Sequence, residues 1–253
     1  MPDLKVWLTV KDMSGNVIKR IAGSTDEGFH RVAWDLRYPA PESITLEKPE
    51  EPENDLEFDG LLAPPGKYTV TLSKVIDGET TVLSEPVEFE VVELREGALE
   101  GASHDELSQF LRNYEDKIKR TTAIGLQLNA LNKQVKAIER AIAKSQAEPG
   151  TFDKKYQELV TELNDLNTMV QGNAAKLEVG EKTKPTIGDR MFALYKGVSH
   201  STYGPTETHK QTMDIIESDL AEIEQEISEV NSAVKSLAGE LTEAGAPYIE
   251  GID

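Results

Sequence analysis

The chain has 253 residues, 38% of them apolar and 29% charged, with 27 Lys+Arg against 46 Asp+Glu, four histidines and no cysteine. A net charge of −19, with the cations scattered along the sequence, argues against a phosphate backbone as partner, and the absence of cysteine excludes disulfides, thiolate nucleophiles and thiolate-held metals. The longest apolar runs fall short of the ~20 residues of a membrane helix, and the low apolar fraction points to two thin modules rather than one large core.

In chain order, apolar and polar residues first alternate in short runs from Leu4 to about Leu94, the period of half-buried strands. Val6, Leu8 and Val10 share one face, the turn Met13-Ser14-Gly15-Asn16 follows, and Val17 to Ile21 returns as a second strand. His30 to Leu36 reads as a third strand, with Val32, Trp34 and Leu36 directed inward, and Trp7 is placed inward as well. Residues 40–65 carry Glu42, Glu47, Glu50, Glu51, Glu53, Asp55, Glu57 and Asp59 against Lys48 alone, broken by prolines, and read as a long acidic surface loop. Lys67–Lys74, Thr80–Leu83 and Val87–Val92 complete the strands, the first two joined by Asp77-Gly78. Six or seven strands over residues 1–96 is the count of an immunoglobulin-like β-sandwich.

The period then changes. Ser103-His104-Asp105-Glu106 has the order of a capping box, opening a helix whose stripe runs from Leu107 through Leu111, Tyr114, Ile118, Ile124, Leu128, Leu131, Val135 and Ile138 to Ile142, with Pro149-Gly150 as its stop. Thr151 is the expected cap of a second helix with the stripe Tyr156, Leu159, Leu163, Leu166 and Val170, and Thr186 to Lys196 reads as a short third. The last helix carries Met213, Ile216, Leu220, Ile223, Ile227, Val230, Val234, Leu237 and Leu241 in an unbroken alternation of threes and fours. Residues 103–245 therefore read as a long antiparallel bundle of three legs, the middle one broken, so that the fold class is two-domain α+β. A self-associating coiled coil competes with this monomeric arrangement.

Chemistry-bearing residues are sparse. His30 and His104 stand apart from any partner in sequence, and His200 and His209 flank a helix-joining turn without the i, i+4 spacing of a zinc pair. The acidic loop lacks the order of a calcium-binding loop, and neither a nucleophile elbow, a P-loop nor a dinucleotide fingerprint occurs. Asp35 is placed to accept amide hydrogen bonds from the turn beyond it, and Pro64-Pro65-Gly66-Lys67-Tyr68 to lead the chain into a strand. No catalytic, cofactor-binding or metal residue is assigned.

The hairpin Asp12-Met13-Ser14-Gly15, the segment Trp34-Asp35-Leu36-Arg37-Tyr38-Pro39, the strand entry Pro65-Gly66-Lys67-Tyr68-Thr69-Val70 and the stretch Gly197–Thr206 together resemble the C-terminal region of large bacterial secreted β-propeller proteins. These carry BNR or sortilin-like repeats and are often labelled glycosyl hydrolases; the sandwich itself resembles the immunoglobulin-like domain of flagellar hook-capping proteins. The propeller's Asp-box repeats are absent from this sequence, so the resemblance carries over no functional residue. What it implies is an accessory module of an exported, periplasmic or secreted protein, a cytoplasmic location remaining open.

The expectation is thus a non-catalytic interaction module, without cofactor, scaffolding or docking a propeller of the same parent chain or another protein. A carbohydrate-binding or glycoside hydrolase-associated domain is the first alternative and a stand-alone coiled-coil assembly protein the second. An exposed apolar patch favours the module; a tryptophan exposed beside paired carboxylates favours the carbohydrate reading.

Overall fold

The computed structural model describes residues 4–41, 43–46, 60–94, 100–199 and 203–252. Strands β1 (Leu4–Asp12), β2 (Val17–Gly23), β3 (Gly66–Ile76), β4 (Glu79–Val82) and β5 (Val87–Val91) precede helices α1 (His104–Ile142), α2 (Asp153–Gln171), α3 (Ala174–Glu178), α4 (Ile187–Ser199) and α5 (Glu207–Glu243). The chain is α+β, and it forms two compact units whose division falls inside α1: residues 1–115 with 197–205, and residues 116–196 with 206–253.

The strands make one antiparallel sheet in the order β2-β1-β3-β4, with β5 also pairing β3. Asp12 closes the β1–β2 turn by accepting from the amides of Ser14 and Asn16, both at 2.9 Å. At the β3–β4 turn Asp77 and Gly78 both take positive φ, 49° and 88°, the conformation that two-residue hairpins require. Register fixes the faces: Val6, Leu8 and Val10 stand opposite Lys74, Leu72 and Val70, while Tyr68 stands opposite Asp12 and Phe89.

Two sequence expectations fail in this unit. Trp7 stands opposite Ala22 and Ser73, on the face away from Val6, Leu8 and Val10, as the period-2 alternation itself demands of an odd-numbered neighbour. Residues 30–36 form no strand. Trp34 Nε1 donates to Arg37 O at 3.1 Å and Asp35 Oδ1 accepts from Arg37 N at 3.0 Å, so side chains take the groups a ladder would use. Leu36 turns into the left-handed region at φ 58°, and only the single bridge Arg37↔Leu62 forms. Most of the acidic stretch lies outside the described residues, but Gly60, Leu61, Ala63 and Pro64 are buried, so the end of the proposed 40–65 surface loop is core-forming.

In the second unit the stripes sort as their spacing demands. All nine apolar residues of the stripe expected in the last helix are buried in α5, and Leu159, Leu163 and Leu166 in α2. Arg120 meets Glu217 and Glu224 within the first halves of α1 and α5, and Gln146 N donates to Ala244 O at 2.8 Å just past their ends, so these two helices run in the same direction. The α2 helix runs against both: the side-chain amides of Asn132 and Asn167 exchange hydrogen bonds of 3.0 and 3.1 Å, while Lys155 reaches Glu240.

The helix ends hold three corrections. The α1 helix stops at Ile142 in overlapping three-residue turns, before Pro149. Thr151 does not cap α2; its hydroxyl donates backward to Glu148 O at 2.6 Å, and Phe152 occupies the cap position without a side-chain bond. An additional helix, α3, follows Gly172, where φ is 81°. Elsewhere capping is regular: Ser103 Oγ accepts from Glu106 N at 3.2 Å, and Thr186 and Asp189 bond reciprocally at the head of α4.

Candidate interaction surfaces

The sheet buries one end of its apolar face and leaves the other half open. At the closed end Val10, Ile18 and Tyr68 are 2–3% exposed. Their cover includes a clasp of two extended segments, in which Tyr38 N donates to Leu61 O at 2.9 Å and Ala63 N to Leu36 O at 2.7 Å. Arg37 adds a bond to Gly60 O at 2.9 Å. Trp34 meets Tyr68 and Phe89 edge-on, with centroids 5.4 and 6.0 Å apart, within the favourable range for aromatic pairs. The Tyr68 hydroxyl donates to Pro64 O at 2.5 Å, and burial pushes its phenol up to about 12.

Toward the other end the same face loses its cover. Leu4 is exposed, while Val6, Leu8, Ile21, Leu72 and Ile76 are only half-buried. Past β4, Leu83 and Val87 are exposed at 48% and 58%, Leu83 beside Leu72 and Val87 opposite Val70, whereas exposed Val82 stands opposite Ser73 on the other face. Leu83 N donates to Leu72 O and Leu72 N to Ser84 Oγ, which ties this corner to β3. The opposite face is mixed, with Trp7, Val75 and Val82 among Lys5, Thr9, Thr71 and Ser73, and on it the Arg20 guanidinium lies 4.7 Å from the centre of the Trp7 ring. That contact occupies the ring, and its direct cross-strand neighbours, Ala22 and Ser73, bring no carboxylate.

A polar cluster stands at the hairpin end of the sheet. Arg112 donates to Asp12 Oδ2 at 2.9 Å and to Ser108 Oγ at 3.1 Å. Burial works to raise the Asp12 carboxyl, but hydrogen bonds from Asn16 and the charge of Arg112 outweigh it and hold the group below its usual range. Burial likewise pushes the Tyr38 phenol up, against the opposing effects of Arg112 and Ser108. Both bonds of Arg112 go to framework acceptors, which makes the cluster a latch fixing the first turns of α1 to the sheet. Lys19 and Asp35 make a similar tie at 2.7 Å, and Asp35 accepts from the turn beyond it as its position suggests.

The histidines do not converge. His30 Nε2 is 2.8 Å from Asp26 O, and His104 lies 3.3 Å from Glu93. His209 caps α5, its Nδ1 accepting from Thr206 N while Thr206 Oγ1 accepts from His209 N, both at 3.3 Å. His200 lies outside the described residues. Among the described residues no three His, Asp or Glu side chains are placed to hold a metal, and no helix is long and apolar enough to cross a membrane.

In the helical unit the polar groups are structural. Buried Lys117 contacts Glu217, and Arg120 grips Glu224 through Nε and Nη2 at 2.7 and 2.8 Å. Hydrogen bonds from Lys117 and then Arg120 hold the Glu217 carboxyl below its usual value. The alternation of apolar residues gave no hint of these pairs, because it says nothing of which charged flank meets which. Compared with known proteins, the chain matches no family model, no curated sequence and no solved structure.

Proposed function

We propose that the chain is a non-catalytic docking module, and that the half-covered apolar face of its sheet is the surface that docks. In this reading the sheet and the clasp of residues 36–38 and 60–63 make a reduced immunoglobulin-like sandwich. The three long helices make an antiparallel bundle whose middle leg is broken into α2, α3 and α4. The occupant of the open face is a β-propeller of the same parent chain, an exported protein, as the resemblance of the Trp34–Pro39 and Pro65–Val70 segments suggests. The carrying observation is that exposed Leu4, Leu83 and Val87 stand beside half-buried Ile76, Leu72 and Val70 on one face of the sheet, with Lys74 the polar residue among them, since clustered apolar surface of this kind marks an interaction site.

An immunoblot of fractionated native cells with antibody against this chain tests the reading. A band several times larger than 27.9 kDa in the exported fraction is expected. A band of that mass confined to the cytoplasm overturns it.

A further inference from the structure

Lys133, Ala137 and Arg140 follow one another in α1 at intervals of four and three residues, which stacks them in one row on the side turned away from buried Leu128, Leu131, Val135 and Ile138, and Lys144, in the turn just past the helix, lines the same groove. After α5 the chain returns along this row. Gln134 Nε2 donates to Gly251 O at 2.7 Å, Ile249 is buried, and an open groove of about 660 Å³ lies between helix and returning segment. Three cations and one carboxylate, Glu250, line it.

These cations differ from those that make ion pairs within the unit. Lys117, Arg120, Lys155 and Arg190 each face a carboxylate, whereas Lys133, Arg140 and Lys144 have no ion-pair partner among the described residues. Lys136 stands four residues before Arg140 in α1, a spacing at which like charges repel, and Lys144 follows in the turn beyond the helix. A row that disfavours its own helix, in a chain of net charge −19, is complementary to an anion supplied from outside.

We propose that this groove docks a carboxylate-rich segment of a partner polypeptide. From Lys133 to Arg140 the row spans about 10 Å at ~1.5 Å per residue, and Lys144 continues it in the turn beyond α1, so that it is long enough for several carboxylates in succession and longer than a small dianion needs. Ala137, Ala141 and Ile249 give the groove apolar ground for the alkyl parts of such a segment, and Tyr248, 75% exposed, gives a ring to pack on. Charge elsewhere on the chain is attenuated beyond about 8 Å at physiological salt, so the local cations decide the encounter.

The test is fluorescence anisotropy of the full chain with a labelled peptide of about ten residues, alternating Glu and Leu, at low and at physiological salt. Saturable binding is expected, weakening as salt rises. The double variant Arg140→Glu/Lys144→Glu should bind about tenfold more weakly, and Lys235→Glu, on an exposed position of α5 outside the groove, less than about twofold. Circular dichroism of each variant should match the parent. Four results overturn the proposal: no saturable binding at about 1 mM, parental affinity in the double variant, an equal loss in Lys235→Glu, or displacement by pyrophosphate or an oligonucleotide as effective as by unlabelled peptide.

Discussion

Gly60 is the position at which a single methyl group tests the architecture of the sheet unit. It is buried, its φ lies outside the left-handed region, and a Cβ there would overlap the carbonyl oxygen of Tyr38 and stand 2.9 Å from that of Pro39. Both obstacles are backbone, so no rotamer relieves them; in Gly60→Ala the two strips of the clasp must separate. Separation breaks Tyr38 N to Leu61 O, Ala63 N to Leu36 O and Arg37 to Gly60 O. At about 0.5–1.5 kcal/mol net for each, the loss is about 1.5–4.5 kcal/mol. Trp34, whose indole donates to Arg37 O inside the same turn, reports it. With Trp7 replaced by Phe, Trp34 is the one remaining indole, since the chain has two tryptophans, and urea unfolding followed by its emission should move to lower denaturant in Gly60→Ala. A shift below about 0.5 kcal/mol would refute the clasp as a cover for Tyr68 and Val10.

Other outcomes follow from the same geometry. Leu220→Ala removes a fully buried side chain from α5 and should cost about 2–5 kcal/mol in the helical transition seen by circular dichroism, an unchanged midpoint contradicting the stripe assignment. Thr206→Ala removes the acceptor for His209 N and should cost about 0.5–2 kcal/mol, read by the same unfolding curve. Because the folded Glu217 carboxyl titrates below its ordinary value of 4.5, its contribution is complete above that value and lost as pH falls through the lower folded one. Glu217→Gln should therefore flatten the acid limb of stability against pH, and an identical limb in both proteins would show that the Lys117–Arg120 contacts carry no weight. The Tyr68 phenol, pushed up to about 12, should be missing from the tyrosines that ionise near pH 10 in an absorbance titration of parent against Tyr68→Phe.

What the sequence made legible follows its periodicities. The α5 stripe and most of the α1 stripe were readable because each apolar position recurs at three or four residues and is buried where expected. The turns at Asp12–Asn16 and Asp77-Gly78 were readable because their chemistry is local. The 30–36 segment misled for the opposite reason: Val32, Trp34 and Leu36 keep strand alternation, yet the bonds of Asp35 and Trp34 to Arg37 decide the backbone. An inward Trp7 runs against the alternation of its own strand. At the candidate surfaces, neither the half-open sheet face nor the cationic row beside residues 247–251 could be read, since each depends on which segment returns to cover what. The spacing of Lys133 and Arg140 was a signal in the sequence, legible once their side of α1 was known to face away from the buried stripe.

The most direct test of the docking account is site-specific photo-cross-linking in the native parent protein, with the photoreactive residue at Leu83 and, as a control, at Lys235. The account predicts an adduct from position 83 that maps by mass spectrometry to a propeller region of the same polypeptide, and none from position 235. Absence of an adduct at position 83, or equal adducts from both positions, would contradict it.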